Sequence, residues 1–131
     1  MASFLTPLLR EGSAQDRLEN VRNGAVVADR VLTAFDSHAR RKGLLGLDSL
    51  PQGSALCIAP SNAVHTFFMR FAIDVAFVTR DGRVVKIRSA MPPWRMAAAL
   101  RAFAVVELPA GTLDRSNTVL GDILAVSSSR G

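Results

Sequence analysis

His65, Asp74 and Glu107 each sit inside an apolar run, in "AVHTFF", "FAIDVAFV" and "AVVELP". Imidazole changes charge near neutral pH. Two carboxylates held together drive their pKa values apart, so that one serves as acid and the other as base. His65 with Asp74 or Glu107 is therefore the pattern of a hydrolase-like acid–base site. Each residue also has a plain structural reading: a histidine bonded to backbone at the edge of the core, or a carboxylate accepting backbone N–H groups or pairing with arginine. Asp74 lies between Ile73 and Val75, and burying it ionised and alone would cost several kcal/mol, so it must have a partner. Arg70 precedes it by four residues. On a helix the two would pair. On a strand, at ~3.3 Å per residue, they share a face about 13 Å apart, and each needs another partner. Trp94-Arg95 follows Pro92-Pro93. That rigid loop presents a large ring and a planar cation, able to stack on a planar or sugar-like ligand or to plug the end of a barrel.

Other chemistries have no footing. There is no Ser-His-Asp elbow, glycine-rich phosphate loop, CxxC or HExxH. One cysteine and two histidines leave too few ligands for a structural zinc, so no metal and no cofactor is expected. Cys57, in "SALCIAP", reads as a small hydrophobe.

The net charge is +5, and 14 of the 16 basic residues are arginine. A basic total invites a nucleic-acid reading, but that reading needs a basic patch. The arginines are dispersed among acids, and most phenylalanines sit in runs that look like core, so nucleic acid is disfavoured. The one tight cluster, "HARRK" at 38–42, suits the last turn of a helix, where cations meet the negative end of the dipole. No run approaches the ~20 apolar residues of a membrane span. The first twenty residues lack a basic start followed by a long apolar core. The expectation is a cytoplasmic protein with no membrane partner, its oligomeric state left open.

The elements that must position these residues are mostly strands. Asn23-Gly24 is a hairpin signal between strands near 17–22 and 25–34. "DSHARRKGLLG" reads as a short helix capped by Asp36 or Ser37. "SALCIAP" is a buried strand closed by Pro60. "FAIDVAFVTRDGRVVKIRSAM" is a hairpin turning at Arg80-Asp81-Gly82. Alternation puts Ile73, Val75 and Phe77 on one face, Asp74, Ala76 and Val78 on the other, and groups Val85 with Ile87. Met96–Ala102 reads as a loop or a single helical turn leading to a strand at 103–108. "TLDRSNTVLG" is a short helix or turn with Thr112 and Asp114 placed for an N-terminal cap. Asp122, after Gly121, can cap a turn with its carboxylate. "GDILAV" is the last strand.

The expected fold class is α+β, mostly β. It is a compact, twisted β-barrel or sandwich-like sheet with two short helices. Residues 1–16 are expected to form a loosely ordered N-terminal arm, 17–126 a single β-rich domain, and 127–131 a frayed tail.

"ARRKGLLG" (39–46), "VHTFFMRFAID" (64–74), "FVTRDGRVV" (77–85), "PPWR" (92–95), "VELPAG" (106–111) and "GD" (121–122) occur in that order. Together they closely resemble the widespread family called domain of unknown function 192, over roughly residues 25–126. The resemblance implies a compact β-rich fold and no particular activity. Where many members have proline, this chain has Ala72, which loosens the entry into the strand. Some members are exported behind a signal or lipoprotein sequence, and an envelope role is not carried over.

These residues lead to a small binding or structural module rather than an enzyme. A shallow cleft lined by His65, Arg70, Asp74, Trp94, Arg95 and Glu107 would take an anionic small molecule or a peptide. The alternatives are the hydrolase-like site and, more weakly, nucleic-acid binding through arginine.

Overall fold

The computed structural model describes residues 3–6, 16–36, 44 and 46–128. Ten strands and one short helix make up the described elements. They are β1 (Asp16–Asn20), β2 (Val26–Ala28), β3 (Arg30–Ala34), β4 (Ser54–Ile58), β5 (Ala63–His65), β6 (Ile73–Val78), β7 (Val84–Met91), β8 (Met96–Ala98), β9 (Ala104–Pro109), α1 (Thr112–Arg115) and β10 (Leu124–Ser128). The chain is mostly β, as its short apolar runs and turn signals require. The expected helix at 36–46 lies largely outside the described residues.

The strands form three sheets, ordered β10-β1-β2, β3-β4-β9-β6-β7 and β5-β8. None closes on itself, so of the expected barrel or sandwich-like sheet the closed form is not taken, and separate sheets wrap around two cores. The five-stranded sheet is the spine. Its inner strands β4, β6 and β9 are buried along their whole length because both faces are covered. On β6, Ala76 and Val78 belong to a first core with Leu18, Val106 and Leu124. Ile73, Val75 and Phe77 belong to a second core with Leu56, Met69 and Val105. The alternation read on β6 therefore holds. On β7 it does not, because a register shift opposite Phe77/Val78 turns Val85 to the second core and leaves Ile87 on the first.

Two glycine turns set hairpins, one in the three-stranded sheet and one in the spine. Gly24 has φ 73° in the Asn23-Gly24 hairpin that joins β1 to β2. Gly82 has φ 89° in the turn between β6 and β7, and a Cβ there would run into the Leu124 carbonyl oxygen. Met96–Ala98 is not a helical turn. It is a strand, because its pairing with β5 supplies ladder hydrogen bonds that outweigh the helical preference of alanine. Residues 3–6 lie on the first core: the Phe4 N–H donates to the Arg80 carbonyl (2.8 Å) and Leu5 is buried.

Candidate functional site

The six residues singled out in the sequence do not share one cleft. Asp74 and Glu107 are 1% and 4% exposed and lie inside the molecule. Their strands are neighbours, as an acid–base pair would need. The register, however, sets Val75 across from Glu107 and Asp74 across from Leu108. Directly opposed residues share a face, so the two carboxylates point to opposite sides of the sheet and cannot act as a dyad.

Asp74 is fully occupied. Its carboxylate accepts the N–H groups of Ala90 (2.8 Å), Gly111 (3.1 Å) and Leu113 (2.9 Å). It thus ties β7 to the start of α1 and serves as that helix's N-terminal cap from a distant strand. Thr112 and Asp114, which had looked like the cap, do not fill that role: the cap position is Gly111, left-handed at φ 93°.

Glu107 is the opposite case. It shares the second-core face with Leu56 and Val75, and its Oε2 has no hydrogen-bond partner among the described residues. Burial pushes its carboxyl up to about 7.

Asp122 is also a buried carboxylate. It accepts from Arg22 Nε (2.7 Å), Asn20 Nδ2 (2.9 Å) and the Val119 N–H (2.9 Å), so it does cap a turn. The hydrogen bonds from Arg22 above all hold it well below the usual carboxylate range. Cys57 is buried on β4, which pushes its thiol up to about 12 and leaves it inert.

The surface residues fall into two groups. Arg70 pairs with Asp48 (2.6 Å), both exposed. His65, Trp94 and Arg95 are gathered at one end of the β5-β8 ribbon, an antiparallel pair in which His65 faces Met96 and Val64 faces Ala97. Val64 and Ala97 pack on the second core. His65 and Met96 consequently point outward. The His65 ring stacks on Phe67 at 5.0 Å, and its Nδ1 accepts the Phe67 N–H. Trp94 meets Phe67 at 5.8 Å and Phe68 at 4.6 Å. Four rings thus form one row, with Phe67 half-buried, His65 exposed, and Phe68 71% and Trp94 56% exposed. The expectation that the phenylalanines are mostly core fails at Phe68.

Thr66 holds this knuckle and was not singled out in the sequence. It is completely buried. Its hydroxyl donates to the Pro92 carbonyl (2.7 Å) and accepts the Arg95 N–H (2.9 Å). Its backbone N–H donates to the Arg95 carbonyl, and its carbonyl accepts the Trp94 N–H. A threonine beside His65 in an apolar run was the available signal. Phe68 and Trp94 both have positive φ, 66° and 68°. Bulky residues avoid that region.

Two concavities lie elsewhere. One of about 220 Å³ is lined by residues including Leu5, Phe35, Ala59, Pro60 and Phe103. Another of about 230 Å³ is lined by residues including Gln52, Thr112 and Arg115. Among the described residues no group of three His, Cys, Asp or Glu side chains could hold a metal ion, and no helix is long and apolar enough to cross a membrane.

Comparison with known proteins gives a consistent picture. The DUF192 family model, described as "Uncharacterized ACR", matches residues 19–126. A UPF0127 protein of Thermococcus sibiricus is 32% identical over 111 residues, covering 80% of this chain and 71% of that protein. A protein of unknown function from Novosphingobium aromaticivorans is similar in structure, with a TM-score of 0.71, 22% identity, and 83% of this chain and 81% of that one covered. A putative transcription regulator from Sinorhizobium meliloti gives a TM-score of 0.74 at 22% identity, covering 85% of this chain and 91% of that one. At that identity these likenesses speak to the fold.

Proposed function

This chain belongs to the DUF192 family of uncharacterised proteins, and from that premise we propose that it is a small binding module whose recognition surface is the ring row of exposed His65, Trp94 and Phe68 and half-buried Phe67, with Arg95 beside it. The partner is an anionic small molecule or a peptide. One observation carries the reading: two bulky aromatic residues are held at positive φ, ring against ring, while both stay more than half exposed. Such backbone conformations cost about 1–3 kcal/mol each and gather where a surface is pre-shaped for contact. Burial of these rings in the free protein does not offset that cost, whereas contact with a partner does. Arg95 adds the charge, its guanidinium bonded to the Trp94 carbonyl (3.3 Å) and to no carboxylate among the described residues.

Acid–base catalysis lacks support. His65 is on the surface, while Asp74 and Glu107 are buried on opposite faces of the sheet.

Thermal unfolding of the full chain against inorganic phosphate, citrate, a nucleoside monophosphate and acidic peptides tests the proposal. A ligand at a hundred times its Kd raises stability by roughly 2.7 kcal/mol, a readily measured rise in Tm. At least one of these anions should produce such a rise, and Trp94→Ala and Arg95→Glu should remove it. No rise with any probe, or one indifferent to both substitutions, would sink the reading.

A further inference from the structure

We infer that the β5-β8 ribbon is a docking strip for an extended acidic peptide segment with apolar side chains interleaved among its carboxylates. The inference rests on the reading above and names the partner of that surface.

Its first support is the apolar strip. The ribbon's outward face carries exposed Met96 (72%) and ends at one side in Phe68 and Trp94; beyond β8 at the other side stands Leu100, 92% exposed. Large apolar side chains projecting together in this way mark interaction surfaces. The aliphatic members discriminate among partners. Methionine and leucine do not stack on nucleobases, but they do pack against peptide side chains.

The second support is charge. Between Asp81 and Glu107 the chain carries Arg83, Lys86, Arg88, Arg95 and Arg101, and no acid at all. The mixture of signs seen elsewhere in the sequence is therefore suspended over this stretch. Lys86 and Arg88 lie opposite Phe77 and Val75, on the ribbon side of the spine. Lys86 reaches the ribbon itself, donating to the Ala98 carbonyl (2.7 Å). No ion pair of the described residues involves any of the five cations. Lys86, Arg88 and Arg95 flank the ribbon and complement carboxylates, whereas Arg83 is bonded to the Gly121 carbonyl (3.1 Å).

The third support is the backbone. Thr66 bonds to Arg95, and Ala99 to Asn62, which makes 66–95 and 62–99 hydrogen-bonded pairs. Alternation then makes 63–98 and 65–96 the non-bonded pairs, whose N–H and C=O groups point away from the partner strand. The His65 N–H and C=O accordingly stand free at the β5 edge, with no partner among the described residues. An extended peptide can add to such an edge and supply those bonds. A lipid surface cannot, because unpaired backbone groups are costly in hydrocarbon.

The test uses the full chain and a labelled eight-residue peptide in which Glu alternates with Phe or Leu. Controls are the same peptide with Lys for Glu, a version N-methylated at alternate amides, a single-stranded oligothymidylate, and vesicles containing phosphatidylglycerol. The Glu peptide should bind at least tenfold more tightly than every control. It should slow amide exchange at His65. Leu100→Glu and Met96→Glu, at highly exposed positions where the fold tolerates change, should each weaken it about tenfold. Equal binding of the Lys or N-methylated peptide, or an effect absent from His65, would overturn the inference. So would tighter binding of oligothymidylate or vesicles at Trp94, which would still leave the anion-binding reading standing. If no anionic probe perturbs Trp94, both fall together.

Discussion

At two of the buried aspartates, Asp74 and Asp122, the polar demands are met from inside. Asp74 gathers three backbone N–H groups, and Asp122 gathers Arg22, Asn20 and Val119. At the Trp94 knuckle the balance is reversed: the loop carrying Trp94 and Arg95 is held in place by Thr66, yet Phe68 and Trp94 turn more than half their surface outward. Both regions looked alike in sequence, as polar or unusual residues set into apolar runs. A polar residue whose partners all come from distant elements is fastening the fold. One whose surroundings fix its position while leaving its contact surface open is available to something else. Glu107 belongs to neither kind, being buried with its Oε2 unanswered, as is the Oδ2 of buried Asp16.

The sharpest way to break this comparison is to remove a fastener. Asp74→Ala leaves three donors unpaired at the β7 and α1 junction. It should cost roughly 4 kcal/mol, given about 1–3 kcal/mol per buried group left unsatisfied, as read by urea unfolding. A loss under about 1 kcal/mol would deny Asp74 its role.

Glu107 comes next, and its sign is opposite. Its folded pKa, about 7, lies above the ordinary 4.5. The native state therefore binds the proton more tightly. The stabilisation is fully present below the unfolded pKa and is lost as pH rises through the folded one. The gap corresponds to roughly 3 kcal/mol. Glu107→Gln should raise stability at pH 8 by about 2 kcal/mol and flatten the profile between pH ~4.5 and ~7. Asp122 acts in the other direction: its folded pKa is depressed, so its contribution is present above pH ~4 and fails only on strong acidification.

Thr66→Val tests the clamp. Losing its hydroxyl bonds should cost about 1–2 kcal/mol and release the loop, changing Trp94 fluorescence at temperatures well below unfolding. An unaltered spectrum would mean the knuckle is held by ring contacts alone. Smallest of all, Leu100→Ser should move stability by less than about 0.5 kcal/mol, because that side chain is already in solvent. A large loss would place Leu100 with the fasteners.

What could be read from the sequence was local. Asn23-Gly24 and Asp81-Gly82 announced their turns because few residues accept positive φ, and the alternation on β6 followed from a period of two. What escaped depended on residues far along the chain. The partners of Asp74 sit 16, 37 and 39 residues away. β8 looked helical because alanine prefers helix, and only its pairing with β5 makes it a strand. Phe68 looked like core because hydrophobicity does not reveal the side on which a loop is pinned. Division into three sheets, rather than one closed barrel, is likewise a property of pairings that no window of sequence contains.

The β1-β10 pairing sets an order of events. Asp16 lies across from Ser128, so the central strand of the three-stranded sheet finds one of its two neighbours only after every other described element has been made. Until β10 leaves the ribosome, β1 carries an open edge, and Leu18 in the first core lacks its cross-strand neighbour Val126. Nascent chains halted before residue 124 should therefore be the species that chaperones and proteases meet. Folding to the protected state should begin only once the last strand is free to close the sheet.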